Sequence, residues 1–248
     1  MWSDVLLRML ILVALLLNAC ASSDHKKQEK SDHEIAENYL QMGVGYMELG
    51  KNRIALQRLQ HALQLDEDNS EIHNALGVLY QNLGDAKRAE QYFGQSLDLN
   101  PDNVSAKNNY GRFLCDQGLY DKAMVYLNEA LAAPMNTRKW FALTNIGICK
   151  YNRNETGVAE RYLREALQKN PNYAPALQQM IAVSYDKKNY ISAKGFLERF
   201  LARSKHTPKT LYYAMLIEMS LGNTEKADRY KATLLEKFPL SKEAQRLN

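Results

Sequence analysis

The chain has little that would point to chemistry. Its longest apolar run, Met9 to Leu17, is far shorter than the roughly 20 residues a membrane-spanning helix needs. Charge is nearly balanced, with a net charge of +4, so nothing in it suggests the basic footprint of a nucleic-acid binder. The five histidines, His25, His33, His61, His73 and His206, include no pair at helical ligand spacing and no CxxC accompanies them, so no metal site is expected. No glycine-rich phosphate loop follows a strand-like segment. Glycine and proline are scarce, 12 and 6 of 248 residues. Leu, Ala, Asn, Lys, Glu, Gln and Tyr dominate, which reads as mostly helical. What is present is apolar material for a core, 46% hydrophobic with 24% charged, enough for one large domain or two ordinary ones.

The first residues read as a processing signal. Arg8 precedes the apolar run, which suits a signal-peptide h-region. It ends in Leu17-Asn18-Ala19-Cys20, which resembles a bacterial lipobox, with residues 1–19 as the leader. The resemblance implies that Cys20 becomes an acylated N-terminus, a covalent lipid being the only added group expected; two or more chains anchor stably. Ala21 after the cysteine implies passage to the periplasmic face of the outer membrane. Residues 20–35 are polar and without apolar period, too poor in apolar surface to offset the entropy of ordering. They read as a flexible tether.

A repeat governs the rest. Ala55, Ala89, Ala123, Ala159, Ala193 and Ala227 lie 34, 34, 36, 34 and 34 residues apart, and Gly43, Gly77, Gly111 and Gly147 stand twelve residues before the first four. Leu59, Phe93, Leu127, Leu163 and Leu197 follow their alanines by four, and Pro101, Pro171 and Pro239 close three units at one phase. Period, spacing and closing proline resemble the tetratricopeptide repeat. The fold expected is therefore all-α, a right-handed superhelical solenoid of six helix-turn-helix units. These run 36–69, 70–103, 104–137, 140–173, 174–207 and 208–241, with 138–139 as an insertion and 242–248 as a tail too short for a capping helix. The paired Gly and Ala lie where the two helices of a unit approach most closely, and stacked units share one core. Ile181 and Met215 replace the glycine in units five and six, so those helices are expected further apart. Lys231 replaces the apolar residue of the last unit, as suits a solvated end.

In such arrays the first helices line a groove through positions 2, 5, 9 and 12 of each unit. The candidate partner-binding residues are Leu40, Val44, Met47, Asn74, Val78, Asn108, Arg112, Phe141, Ile148 and Tyr151. This lining suits an extended or helical peptide with apolar anchors better than a small charged ligand. For any one of these residues, solvated or inter-repeat packing is an equal account.

The segment Asn108-Asn109-Tyr110-Gly111-Arg112-Phe113-Leu114-Cys115 resembles the third-unit motif of the type IV pilus biogenesis and stability lipoproteins, the PilF/PilW pilotin family. That resemblance extends to the lipobox, the tether and six repeats. It implies an outer-membrane lipoprotein that binds a secretin subunit in its groove and promotes secretin localisation and multimer assembly. Pilus biogenesis and twitching motility would depend on it. A periplasmic adaptor for cell-wall or envelope-assembly enzymes is the alternative. Neither reading makes the chain an enzyme, and both leave it monomeric when free and without nucleic acid.

Cys115 and Cys149 occupy positions 12 and 10 of adjacent first helices. In an oxidising periplasm a disulfide between them is expected; two buried thiols packing as small hydrophobes are the alternative.

Overall fold

The computed structural model describes residues 31–247, and among them every regular element is a helix. The leader, Cys20 and most of the tether lie outside the described residues. The chain divides between Ala106 and Lys107 into two compact units.

The first unit holds α1 (residues 31–48), α2 (Asn52–Leu65), α3 (Ser70–Asn82), α4 (Ala86–Leu99) and the start of α5 (Val104–Asp116). Residues 31–35, expected in the tether, already belong to α1. His33 Nδ1 meets Asp66 Oδ2 at 2.6 Å and Ala36 is fully buried, so the first helical turn is held to the end of α2. Local chemistry starts the next helices. The Asn69 side chain caps α3 by accepting from the Glu71 N–H, and Asp85 caps α4 by accepting from the Arg88 N–H, each satisfying a backbone donor that the helix leaves open. Ile72, Leu76, Leu79 and Phe93 are fully buried between α3 and α4; burying such side chains contributes about 1.5–3 kcal/mol each. A polar knot ties the ends: Ser70 Oγ donates to the Ser96 carbonyl (2.8 Å), Ser96 Oγ to the Ser70 carbonyl (2.7 Å), and Asn103 Nδ2 to Ser70 Oγ (2.7 Å).

The second unit continues α5 and adds α6 (Tyr120–Ala132), α7 (Lys139–Asn152), α8 (Thr156–Lys169), α9 (Ala174–Asp186), α10 (Tyr190–Leu201), α11 (Pro208–Ser220) and α12 (Thr224–Lys237). Asn189 caps α10, and Thr207 with Thr210 forms a capping box before Pro208 at α11. Leu143, Leu163, Leu177, Met180 and Ile217 belong to one buried cluster. The tail is not featureless. One turn, α13 (Lys242–Gln245), is capped by Ser241 and buries Ala244 against Leu211 and Leu234. Four residues suffice because a side-chain cap and one small apolar contact close the exposed end.

Within each unit the helix pairs meet at the expected glycines, more tightly than the spacing indicated. A Cβ on Gly77 would sit 2.7 Å from two Phe93 ring carbons, and one on Gly147 would sit 2.7 Å from Leu163 Cγ. Even a methyl group is too large there. Ile181 and Met215, standing at the same position, are buried, and α9–α10 and α11–α12 are less closely apposed than α3–α4 and α7–α8. Lys231 is exposed.

All six first helices end in the same left-handed residue. Gly50, Gly84, Gly118 and Gly222 have φ between 68° and 81°, and Asn154 and Lys188 take the same place at 63° and 59°. This residue reverses the chain into the second helix, a turn that glycine adopts without the Cβ penalty.

Candidate functional site

In the first unit the candidate residues of α1 and α3 do not form a continuous apolar strip. Leu40 is 7% exposed and belongs to the core, so of the α1 set only Val44, exposed, and Met47, half-buried, can meet a partner. Asn74 is buried and its Nδ2 donates to Glu71 Oε2 (3.2 Å). Val78 is half-buried. What this part of the unit offers is three apolar side chains, Val44, Met47 and Val78.

In the second unit the first helices α7, α9 and α11 pack successively against each other, and a ladder of polar side chains crosses them. Asn145 Nδ2 donates to Asn108 Oδ1 (3.1 Å), and Arg112 reaches Asn145 Oδ1 with one guanidinium nitrogen (3.5 Å) while its Nε donates to Asp116 (3.0 Å). The Tyr151 hydroxyl donates to Asp186 Oδ2 (2.5 Å); burial and then that bond push its pKa up. Lys209 Nζ donates to Gln179 Oε1 (3.1 Å), and Gln178 Nε2 to Thr207 Oγ1 (2.8 Å).

Aromatic side chains flank the ladder. Phe141 and Tyr173 have centroids 5.0 Å apart, and the Arg138 guanidinium lies 5.4 Å from the Phe141 ring. Burial pushes the Tyr173 phenol up to about 12, against the pull of Arg112 and Arg138. Ile148 is buried and contributes packing, not a contact surface.

Cys115 and Cys149, both buried, are joined as a disulfide with Cα atoms 5.6 Å apart. The bond links α5 to α7 at the level of Arg112. Asn152 Nδ2 approaches Cys115 Sγ at 3.9 Å.

The structure thus leaves Arg112, Phe141 and Tyr151 half-buried beside the ladder, and moves Leu40, Asn74, Asn108 and Ile148 into the interior. Sequence reasoning passed over Asn145, Gln179, Asp116 and Asp186. A signal for them exists: Asn145 and Gln179 are the sixth residues of their units, and Asp116 and Asp186 the thirteenth. An amide or acid recurring in phase with the repeat was available beside the four positions usually assigned to the groove. Among the described residues, no group of three or more His, Cys, Asp or Glu could hold a metal ion.

Comparison with known families places this arrangement. Residues 43–84 match a model described as TPR repeat, and residues 82–145 one described as Tetratricopeptide repeat. Together with the stacked helix pairs this gives the chain a tetratricopeptide-repeat fold, a fold of protein-interaction modules.

Its particular relatives concern one machine. The chain is homologous to the type IV pilus assembly protein PilF of Pseudomonas aeruginosa, 25% identical over 240 residues that cover 96% of this chain and 95% of that protein. The crystal structure of PilW, described as a widely conserved type IV pilus biogenesis factor, superposes with a TM-score of 0.69 at 28% identity, covering 86% of this chain and 98% of that one. A structure of Pseudomonas aeruginosa PilF shares the fold, with a TM-score of 0.67 at 24% identity over 88% and 98% of the two chains.

Proposed function

We propose that this protein acts in type IV pilus biogenesis as a pilotin: a lipoprotein, acylated at Cys20, that binds a secretin subunit and promotes its localisation and multimer assembly at the outer membrane. The observation that carries the pilus role is similarity to a pilus assembly protein along 96% of the chain. Secretin binding and the lipid anchor rest on the Asn-Asn-Tyr-Gly-Arg-Phe-Leu-Cys segment and on Leu17-Asn18-Ala19-Cys20. The division of labour is physical. Acyl chains provide membrane affinity at about 0.8 kcal/mol per buried methylene, and the repeat faces provide partner affinity. No cofactor beyond the covalent lipid is part of this reading.

Two measurements test it. Deleting the gene should remove SDS-resistant secretin multimers; intact multimers with altered peptidoglycan would instead favour an adaptor for cell-wall enzymes. Cys20→Ser should leave the repeats folded but displace the protein from outer-membrane fractions. A normally placed Cys20→Ser protein would refute the anchor.

A further inference from the structure

The net charge of +4 conceals an uneven division. Residues 31–106 hold 5 Lys and Arg against 12 Asp and Glu, whereas residues 107–248 hold 23 against 13. In the second unit much of the excess stands where each second helix hands over to the helix that follows. Arg138 lies between α6 and α7, Lys169 at the end of α8, Arg203 and Lys205 between α10 and α11, and Lys237 and Lys242 on either side of the turn from α12 to α13. All six are exposed, and none is ion-paired among the described residues. No Asp or Glu occurs in 133–139, 169–173, 202–209 or 237–242, although Glu236 and Glu243 flank the last of these. The repeat does not require this pattern. The matching junctions of the first unit, 66–69 and 100–103, carry Asp66, Glu67, Asp68 and Asp102 and no Lys or Arg. Helix ends do not account for it either. Lys169 and Lys237 suit the C-termini they occupy, but Arg138 and Lys242 stand at helix N-termini, where the macrodipole disfavours a cation.

Contacts between successive junctions gather these cations along one edge of the second unit. Phe141 and Tyr173 have centroids 5.0 Å apart, joining the first junction to the second. Arg199, near the end of α10, donates to the Pro171 carbonyl at 2.7 Å. His206 packs on Tyr230 of α12, with centroids 5.5 Å apart. Burial and then the charge of Lys237 lower the His206 pKa, which sets Lys237 beside the third junction. The same edge carries an independent feature. Met135, 86% exposed, and Leu240, 88% exposed, are the two most exposed large aliphatic side chains among the described residues, and they stand in the first and last junctions. Both are presented by ordered turns. Asn136 Nδ2 donates to the Ala130 carbonyl (2.7 Å) while its Oδ1 accepts from the Arg138 N–H (2.9 Å), and Ser241 Oγ donates to the Phe238 carbonyl (2.8 Å).

We infer that this edge of the second unit docks on an anionic phospholipid surface, its cations against lipid phosphates and Met135 and Leu240 between the head groups. Lys and Arg reach phosphates while their stems lie along apolar material, and each cation held near such a surface strengthens binding about fivefold. Single apolar side chains amid cations are what an interfacial surface presents. A folded protein partner fits this edge less well. Its interface would need a continuous apolar centre, a region from which Lys is depleted, whereas here the two apolar side chains stand singly in separate turns of a basic row. The inference rests on the acylation of Cys20 proposed above for bringing the chain to a bilayer. The edge itself is defined by the second unit alone.

The test uses the mature chain, residues 20–248, with Cys20→Ser so that no acyl group contributes. Binding to vesicles of phosphatidylcholine and to vesicles of phosphatidylglycerol is read by co-sedimentation. The protein should bind phosphatidylglycerol only, and less tightly as salt is added. R203Q/K205Q should bind about 25-fold more weakly, and the charge-preserving R203K/K205R should bind as the parent does. M135S/L240S should bind severalfold more weakly at an unchanged melting temperature, since both side chains already stand in water. Equal binding to the two lipids, or R203Q/K205Q binding phosphatidylglycerol like the parent, overturns the edge. Undiminished binding by M135S/L240S, or equally tight binding of polyglutamate, overturns the lipid assignment in favour of an acidic protein. The anchor is read separately, from the acyl mass on Cys20 of the protein extracted from cells. Acylation present with vesicle binding lost refutes this edge alone; acylation absent with vesicle binding intact refutes the anchor alone.

Discussion

Gly77 offers a sharp test of what holds the repeats together. Replacing it with alanine adds one methyl, which on a free helix is favourable by about 1 kcal/mol. In this structure that methyl carbon would lie 2.7 Å from Phe93 Cδ1 and Cε1 and 3.0 Å from Cγ. Phe93 is fully buried, and a rigid ring cannot yield by turning a single methyl aside. Overpacking of this kind costs about 1–3 kcal/mol, so Gly77→Ala is expected to lose up to about 2 kcal/mol net. Gly94 supplies the control: it lies inside α4 in the same unit, and a Cβ there would meet nothing within 4 Å. Gly94→Ala should therefore gain about 1 kcal/mol. Urea denaturation of both variants, followed by circular dichroism with midpoints compared at a common slope, reads the difference. If Gly77→Ala is as stable as Gly94→Ala, close approach at the glycine is not what sets the helix pairing.

Other consequences follow from the same geometry. Lys188→Gly should stabilise the protein by up to about 1 kcal/mol, because Lys188 adopts φ 59° where four other units have glycine, at a Cβ cost of about 1–2 kcal/mol offset in part by glycine's greater freedom in the unfolded chain; a lower melting temperature would contradict this. Reducing the Cys115–Cys149 bond, or replacing either residue with Ser, reopens a link across 34 residues. It should lower stability by about 4 kcal/mol in the chain-entropy model, seen as an earlier transition in reductant. On acidification, Glu218 and Glu160 each lose a stabilising charge. Glu218 is held below its ordinary pKa because hydrogen bonds from Lys194 and Asn223 outweigh its desolvation, and Glu160 because the Lys187 and Arg164 bonds do. A depressed folded pKa stabilises above the unfolded value near 4.5 and loses that contribution as pH falls through the folded one. Glu218→Gln should therefore flatten the stability profile below pH 4.5, and an unchanged acid limb would refute the assignment.

The sequence by itself determined the repeat, because helix pairing imposes hard steric limits that leave a periodic trace. Only a small residue fits opposite Leu59, Phe93, Leu127 or Leu163, and only a residue tolerant of positive φ turns the corner at Gly50, Gly84, Gly118 and Gly222. Both constraints are local to one unit and recur with it. The spacing of Cys115 and Cys149 likewise followed from neighbouring first helices. The candidate face was only half legible. A position in the repeat states which way a side chain starts, not whether the next helix covers it, so Leu40, Asn74 and Ile148 pass into the interior while Val44 and Phe141 do not. Nor does the repeat state which polar side chains meet. Tertiary packing alone set Lys209 against Gln179 and Asn145 against Asn108. Hydrogen bonding is decided over a few tenths of an ångström between separate helices, a distance that periodicity does not record.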